Sequence, residues 1–353
     1  MPFKVSLYYT EATMKKKYLV LAAFILLAVI MLESQANRPE QLNLSHLPAW
    51  QRPFVPYFAE RGFEVDDLLK LSFTFNQTDT LVRLMALQAA YPDLITNIQF
   101  VPEYNDWLIT FHNDMQLYFA YGRKLPHELL AQADNFRRFV DYQLPPHQEE
   151  PVYLYTAAEV AAPANPAPAL NPVFHTAWYE VLYGGSTRET IEQKVVETSF
   201  LGFDFPVHQM IYEPLRQVEE QIFAHIDDEI ADFIATLNFA AGYSWRNIIG
   251  TTTLSFHALG VAIDILPENR DQPIYWIWEM RRNPNWAQIP ADERWQIPNL
   301  IIAAFEEAGF FWGGNWSHWD IMHFEYRPEF FKARQFRREF NEFIGFTYFR
   351  NVN

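Results

Sequence analysis

Four side chains in the C-terminal half of the chain have the types needed for metal-assisted hydrolysis: His257, Asp264, Asp320 and His323. Imidazole nitrogen and carboxylate oxygen both bind zinc readily, and a catalytic zinc site uses three protein ligands and keeps one position open. We therefore predict zinc on His257, Asp264 and His323. The remaining acid, Asp320, is predicted to be a general base for the attacking water.

The segment from His257 to Asp264 must bring its two ends together. Seven positions separate the two residues, which is too far for neighbours on one helix face. Gly260 between them suits a tight turn, and residues 261–265 alternate as a strand does. A turn followed by a strand would return His257 to Asp264. The alternative is a loop histidine and an ordinary acid at a strand end, but an isolated carboxylate in so apolar a run needs a partner.

The second segment must place Asp320 and His323 on the same side. Residues 322–324 are typical of a strand, in which positions three apart point to opposite faces. Asp320 is therefore predicted to lie in the loop before the strand. Gly313 and Gly314 support a loop there.

Neighbouring residues are alternative candidates for metal binding, for orienting the ligands and for substrate binding. His318 could be a ligand, but we favour a substrate-facing or loop position for it. Glu325 shares a strand face with His323 and could orient its ring, with a surface ion pair as the alternative. Trp319 could line the cleft and bind substrate, or it could pack in the core.

The two segments resemble the zinc D-alanyl-D-alanine carboxypeptidases and L-alanyl-D-glutamate endopeptidases, the family of vancomycin-resistance-type carboxypeptidases and phage endolysin peptidases. The resemblance rests on Ser-x-His-x-x-Gly-x-Ala-x-Asp at residues 255–264, followed by an acid three residues before a histidine. It covers approximately residues 210–332. It implies zinc on the three predicted ligands, Asp320 as catalytic base, and peptidoglycan stem peptides as the substrate.

The resemblance also implies roles for two further residues. Arg246 would polarise the scissile carbonyl or bind a substrate carboxylate. Ser255 would bind substrate, although its hydroxyl could equally satisfy the backbone of the turn. Asp320 in place of the glutamate of the carboxypeptidase branch is more like the endopeptidases. We predict an endopeptidase, with a D-alanyl-D-alanine carboxypeptidase and a non-catalytic zinc or wall-binding module as alternatives.

Residues 1–36 are predicted to be a secretory signal peptide whose true start is Met14. A basic stretch precedes fifteen apolar residues, and cleavage is expected after Ala36. A membrane span needs about 20 such residues, so an uncleaved anchor is the alternative and no stable span is expected after cleavage. The protein is thus predicted to be exported to the periplasm or cell envelope. The net charge of −16 argues against nucleic-acid binding, and the lack of cysteine excludes thiolate ligands.

The remaining sequence predicts an α+β fold in which a small antiparallel sheet with flanking helices carries the zinc site. Residues 37–150 form an N-terminal α+β extension, called here the accessory region, either a structural extension or a wall-binding or gating module. Residues 151–172 form an Ala/Pro-rich connector, and residues 173–353 form the peptidase domain. Periodicity and capping signals predict these elements: helices at 63–71, 80–90, 129–142, 187–198, 214–237 and 298–308, a hairpin at 107–121, and a packed C-terminal helix.

Overall fold

The structure is a computed structural model that describes residues 44–139, 174–249, 251–316 and 318–351. The predicted signal peptide and the Ala/Pro-rich connector lie outside the described residues. Among those described, residues 44–53 belong to one compact unit and residues from Phe54 onward belong to another. In the first unit, Arg52 donates hydrogen bonds to the carbonyl groups of Leu47 and Ser45.

The second unit confirms the predicted α+β class, with small antiparallel sheets and several helices. Its strands are β1 Ile95–Val101, β2 Asp106–Phe111, β3 Gln116–Tyr118, β4 Val195–Phe200, β5 Phe203–His208, β6 Leu237–Ala241, β7 Ala262–Pro267, β8 Phe310–Trp312 and β9 His323–Tyr326. Its α-helices are α1 Phe54–Ala59, α2 Val65–Leu68, α3 Phe75–Ala90, α4 Ala177–Tyr183, α5 Arg188–Glu192, α6 Gln209–Ala224, α7 Asp228–Thr236, α8 Trp276–Met280, α9 Asn299–Glu307 and α10 Pro328–Asn351.

The sheet that positions the site has the strand order β6-β7-β9-β8, and all of its pairs are antiparallel. β7 is an interior strand, which explains why its sequence is apolar nearly throughout. Helix α9 packs behind the sheet, where the Phe305 ring stacks on Phe324 with centroids 3.8 Å apart. The interior position of β7 places Asp264 between two neighbouring strands.

The accessory region contains the sheet β1-β2-β3 and the helices α1 to α3. The predicted hairpin is confirmed as β2 and β3, whereas β1 was missed. Helix α3 begins earlier than predicted because the Thr74 side chain accepts a hydrogen bond from the Gln77 N–H and caps the helix. The aromatic side chains of α1 pack on helix α10, with the rings of Phe58 and Phe340 5.4 Å apart.

Helix α10 confirms the predicted packed C-terminal helix. Phe330 and Phe340 are both buried on it. Helix α9 is also confirmed, and Gly309 follows it with a φ of 94° that a glycine adopts without strain.

Several predicted helices were too long or wrong. The capping signal near 187 opens only the short α5, and residues 195–200 form β4, because β-branched residues there pair with β5. The single helix predicted over 214–237 is two helices in the structure, α6 and α7, because Asp227 caps a new helix. Residues 127–135 form 3₁₀ helix rather than α-helix, and 63–71 is helical only in α2.

No helix among the described residues is long and apolar enough to cross a membrane.

Candidate metal centre

The pairing of β7 with β9 brings two of the predicted ligands together. Asp264 lies directly opposite His323 in this antiparallel register. Residues directly opposite each other in such a pair project from the same face, with Cβ atoms about 5 Å apart. The result is a distance of 2.9 Å between Asp264 Oδ1 and His323 Nδ1.

A 3₁₀ turn brings His257 to the same place. Residues Phe256–Leu259 form the turn, and Gly260 ends it with a φ of 68°, as the sequence predicted. A Cβ at Gly260 would lie 2.7 Å from the backbone nitrogen of His208, so only glycine fits there. The reversal returns His257 to β7, where its Nε2 lies 3.1 Å from Asp264 Oδ1.

The three donor atoms have the spacing that a tetrahedral metal site needs. His257 Nε2, His323 Nδ1 and Asp264 Oδ1 lie 2.9 to 3.2 Å from one another. With zinc bonds of about 2.0–2.1 Å, the corners of a tetrahedron lie roughly 3.3 Å apart. The residues present therefore fit a divalent metal ion of this size.

Hydrogen bonds behind the rings set which nitrogens face the centre. Nδ1 of His257 lies 2.6 Å from the carbonyl oxygen of Gly242, so that nitrogen carries the proton and Nε2 presents its lone pair. Nε2 of His323 lies 3.5 Å from Glu325 Oε2, which leaves Nδ1 for the centre. Holding a second ring nitrogen in this way is typical of metal-binding histidines.

Three electron-rich atoms so close together require a positive charge between them. Burial opposes ionisation of Asp264, but His257 and His323 hold its pKa well below the usual range. Burial alone would lower the pKa of His323, yet hydrogen bonds to Asp264 and Glu325 raise it to about 10. Either a proton on His323 or a divalent metal ion between the three atoms would supply that charge.

Asp320 lies in the loop before β9, as predicted. Its N–H donates to the Gly313 carbonyl, and its own carbonyl accepts from the His323 N–H. The side-chain Oδ1 is buried without a hydrogen-bond partner among the described residues. Burial raises the pKa of Asp320 to about 8; His323 and Arg246 oppose that rise, and Asp264 adds to it. In its ionised form the Asp320 carboxylate, whose Oδ1 has no partner among the described residues, can accept a proton beside the cluster.

Two more residues lie near Asp320. Arg246 is exposed, and its guanidinium is close enough to lower the pKa of both Asp320 and Tyr275. Tyr275 forms an isolated antiparallel bridge with Asp320, and burial followed by the charge of Asp320 raises its pKa. Sequence reasoning missed Tyr275, because only the folded chain brings residue 275 next to residue 320.

The other predicted site residues lie outside the three-residue cluster. Ser255 is buried, and its hydroxyl accepts from the His257 N–H, which favours the turn-backbone alternative. The His318 ring packs edge-on against Trp276 at 4.6 Å. Trp319 is only 1% exposed, with the Arg294 guanidinium over its ring, so its position fits core packing rather than substrate contact.

The cluster of His257, Asp264 and His323 could hold a metal ion within an α+β fold. Residues 249–326 match the family described as D-alanyl-D-alanine carboxypeptidase, which confirms the family resemblance over that segment and supports a peptidase. Members of this family are metal-dependent. Residues 83–141 match a family described as a domain of unknown function. No curated protein and no solved structure matches the chain.

Replacing Gly242 with alanine is expected to weaken metal binding. A Cβ there would lie 2.5 Å from the Pro206 carbonyl oxygen, so the backbone must shift and move the carbonyl that holds His257. Loss of such a supporting contact typically costs about 10- to 100-fold in metal affinity. Competition with a chromophoric chelator measures the change. Gly345→Ala is the control, because nothing lies within 4 Å of its Cβ position; equal affinities in the two variants would contradict the prediction.

Metal affinity is expected to rise with pH. The pKa of His323 is about 10 in the metal-free fold, so below that pH a metal ion must displace its proton. Release of the His323 proton on binding raises the apparent affinity about tenfold per pH unit, and the proton that Asp320 loses beside a divalent charge makes the rise steeper. Chelator competition between about pH 6 and 8, a range that lies below the pKa of His323, tests this prediction. Affinity that does not change with pH would show that the metal-free site holds no proton.

Proposed function

We propose that this protein is a zinc-dependent peptidase that hydrolyses an amide bond inside the stem peptides of peptidoglycan. The observation that carries the proposal is the carboxyl group of Asp320, whose Oδ1 has no hydrogen-bond partner in the described part of the chain, beside the cluster of His257, Asp264 and His323. The family match over residues 249–326 supports the reaction class. The choice of zinc rests on two imidazoles and one carboxylate at tetrahedral spacing.

Zinc, when bound, would supply the charge that acidifies water and polarises the scissile carbonyl. Asp320 would take the proton of the attacking water and return it to the leaving amine nitrogen as the C–N bond breaks. A divalent charge nearby favours the ionised form of Asp320 and so opposes the effect of burial on its pKa. Arg246, exposed beside Asp320, would bind the carbonyl oxygen or a carboxylate of the substrate.

A D-alanyl-D-alanine carboxypeptidase is the second candidate, and the description of the matched family favours it. The aspartate at position 320 favours the endopeptidase instead, as the resemblance implies. Export to the periplasm or cell envelope, by way of the predicted signal peptide at residues 1–36, completes the proposal.

Mass spectrometry of purified muropeptides incubated with the protein tests the proposal. One reaction contains zinc, and a matched reaction contains a chelator. Chelator-sensitive cleavage inside the stem peptide is the expected result. Release of free D-alanine would identify the carboxypeptidase. A folded, zinc-loaded protein that leaves every muropeptide intact would refute the enzyme and favour the non-catalytic module.

A further inference from the structure

A continuous line of buried polar side chains runs from the metal centre into the accessory region. His323 Nε2 lies 3.5 Å from Glu325 Oε2, and the other oxygen of Glu325 accepts from Arg327 Nη1 at 3.2 Å. Arg327 Nε donates to Glu329 Oε1 at 2.8 Å. The hydroxyl of Tyr91 donates to Glu329 Oε2 at 2.6 Å. We call these five residues the polar chain.

Each carboxylate of the polar chain uses its two oxygens for different partners. Glu325 offers one oxygen to the histidine and the other to the arginine, and Glu329 divides its oxygens between Arg327 and Tyr91. All of these side chains are at least nine-tenths buried. Because water is excluded, moving one carboxylate leaves a neighbouring charge unpaired, so the positions of the members depend on one another.

The two ends of the polar chain come from distant parts of the sequence. Tyr91 ends helix α3 in the accessory region, whereas Glu329 lies in the first turn of α10, directly after the strand that carries His323. Burial raises the pKa of Tyr91 well above its ordinary value, so its hydroxyl keeps the proton that it donates.

Helix α3 is held on α10 by a second polar contact further along. Arg337 Nη2 lies 2.9 Å from Asp79 Oδ1, and Asp79 also pairs with Arg83. The accessory region therefore meets the start of α10 through Tyr91 and the middle of it through Asp79.

We propose that Tyr91 and Glu329 are positioning residues for the metal centre, through which the accessory region sets the orientation of the His323 ring. Tyr91 holds Glu329, which holds Arg327 against Glu325, and Glu325 holds the ring nitrogen that faces away from the centre. The inference rests on the proposed metal-dependent function. It assigns the accessory region a role in metal affinity, beyond packing on the C-terminal helix.

The substitution Tyr91→Phe tests the proposal, because it removes one hydroxyl and keeps the ring. Tyr57→Phe is the matched control, since the Tyr57 hydroxyl is also buried without a hydrogen-bond partner in the described part of the chain, and its charged neighbours, Arg61 and Glu339, are outside the polar chain. The zinc Kd is measured by chelator competition on the full chain. The visible absorption spectrum of the cobalt(II)-substituted protein reports the geometry at the ligands.

We expect Tyr91→Phe to weaken zinc binding by about tenfold, the low end for a supporting contact, and to alter the cobalt spectrum. Glu329→Gln should have a larger effect, because it also removes the charge that holds Arg327. Tyr57→Phe should leave both readouts unchanged.

A Tyr91→Phe protein that melts earlier but keeps the wild-type Kd and cobalt spectrum would overturn the inference, since its hydroxyl would then only stabilise packing. The same conclusion follows if Glu329→Gln leaves both readouts unchanged. A wild-type protein that binds zinc but cleaves no muropeptide would count against the proposed enzyme, while the Kd comparison still decides the role of Tyr91. A wild-type protein that binds no zinc would refute both.

Discussion

The substitution Asp320→Ala is expected to lower the turnover of muropeptides by about 10²- to 10⁴-fold, the usual contribution of a general base. Zinc binding should remain close to that of the wild type, because Asp320 is not one of the three clustered donors. The fold should also survive. Asp320 Oδ1 has no hydrogen-bond partner among the described residues, so the substitution breaks no described hydrogen bond at that atom.

Steady-state kinetics and chelator competition on the same protein preparation measure the two effects separately. Asp271→Ala is the control, since Asp271 is an exposed loop acid. Turnover by Asp320→Ala within about tenfold of the wild type, less than the smallest usual effect of losing a base, would show that another group accepts the proton.

The substitution His323→Ala should abolish both tight zinc binding and activity. Loss of a supporting contact costs about 10- to 100-fold in affinity, so loss of a ligand is expected to exceed about 100-fold. The variant His318→Ala is the comparison, because the sequence also offered His318 as a possible metal ligand. The His318 ring lies among Trp276 and Trp286, so its loss should affect packing and leave the zinc Kd near wild type.

Thermal unfolding with and without zinc gives an independent readout. Free zinc at a thousand times its Kd stabilises the native state by about 4 kcal/mol, and this gain should vanish in His323→Ala. The His318→Ala protein should melt at a lower temperature and still gain stability from zinc. The reverse pattern, with zinc stabilising His323→Ala but not His318→Ala, would exchange the roles of the two residues.

Local rules in the sequence correctly predicted the features that depend on neighbouring residues. Gly260 as a turn, the loop position of Asp320 and the helix closed by Gly309 all follow from conformational preferences that act over a few positions. The same rules wrongly predicted that the helix beginning at 187 continues to 198, whereas residues 195–200 form β4. Pairing with β5 decides that segment, and such pairing is absent from the local pattern.

The sequence by itself indicated the chemistry of the candidate centre, since residue types limit which metals and protons a site can hold. It indicated two imidazoles, one carboxylate ligand and one further acid. The tertiary structure decided which atoms face the centre. The register of β7 with β9 sets the pairing of Asp264 with His323, and the Gly242 carbonyl selects the free nitrogen of His257. Only tertiary packing joins Tyr91 to Glu329, because contacts between distant residues depend on how helices and sheets meet rather than on local sequence.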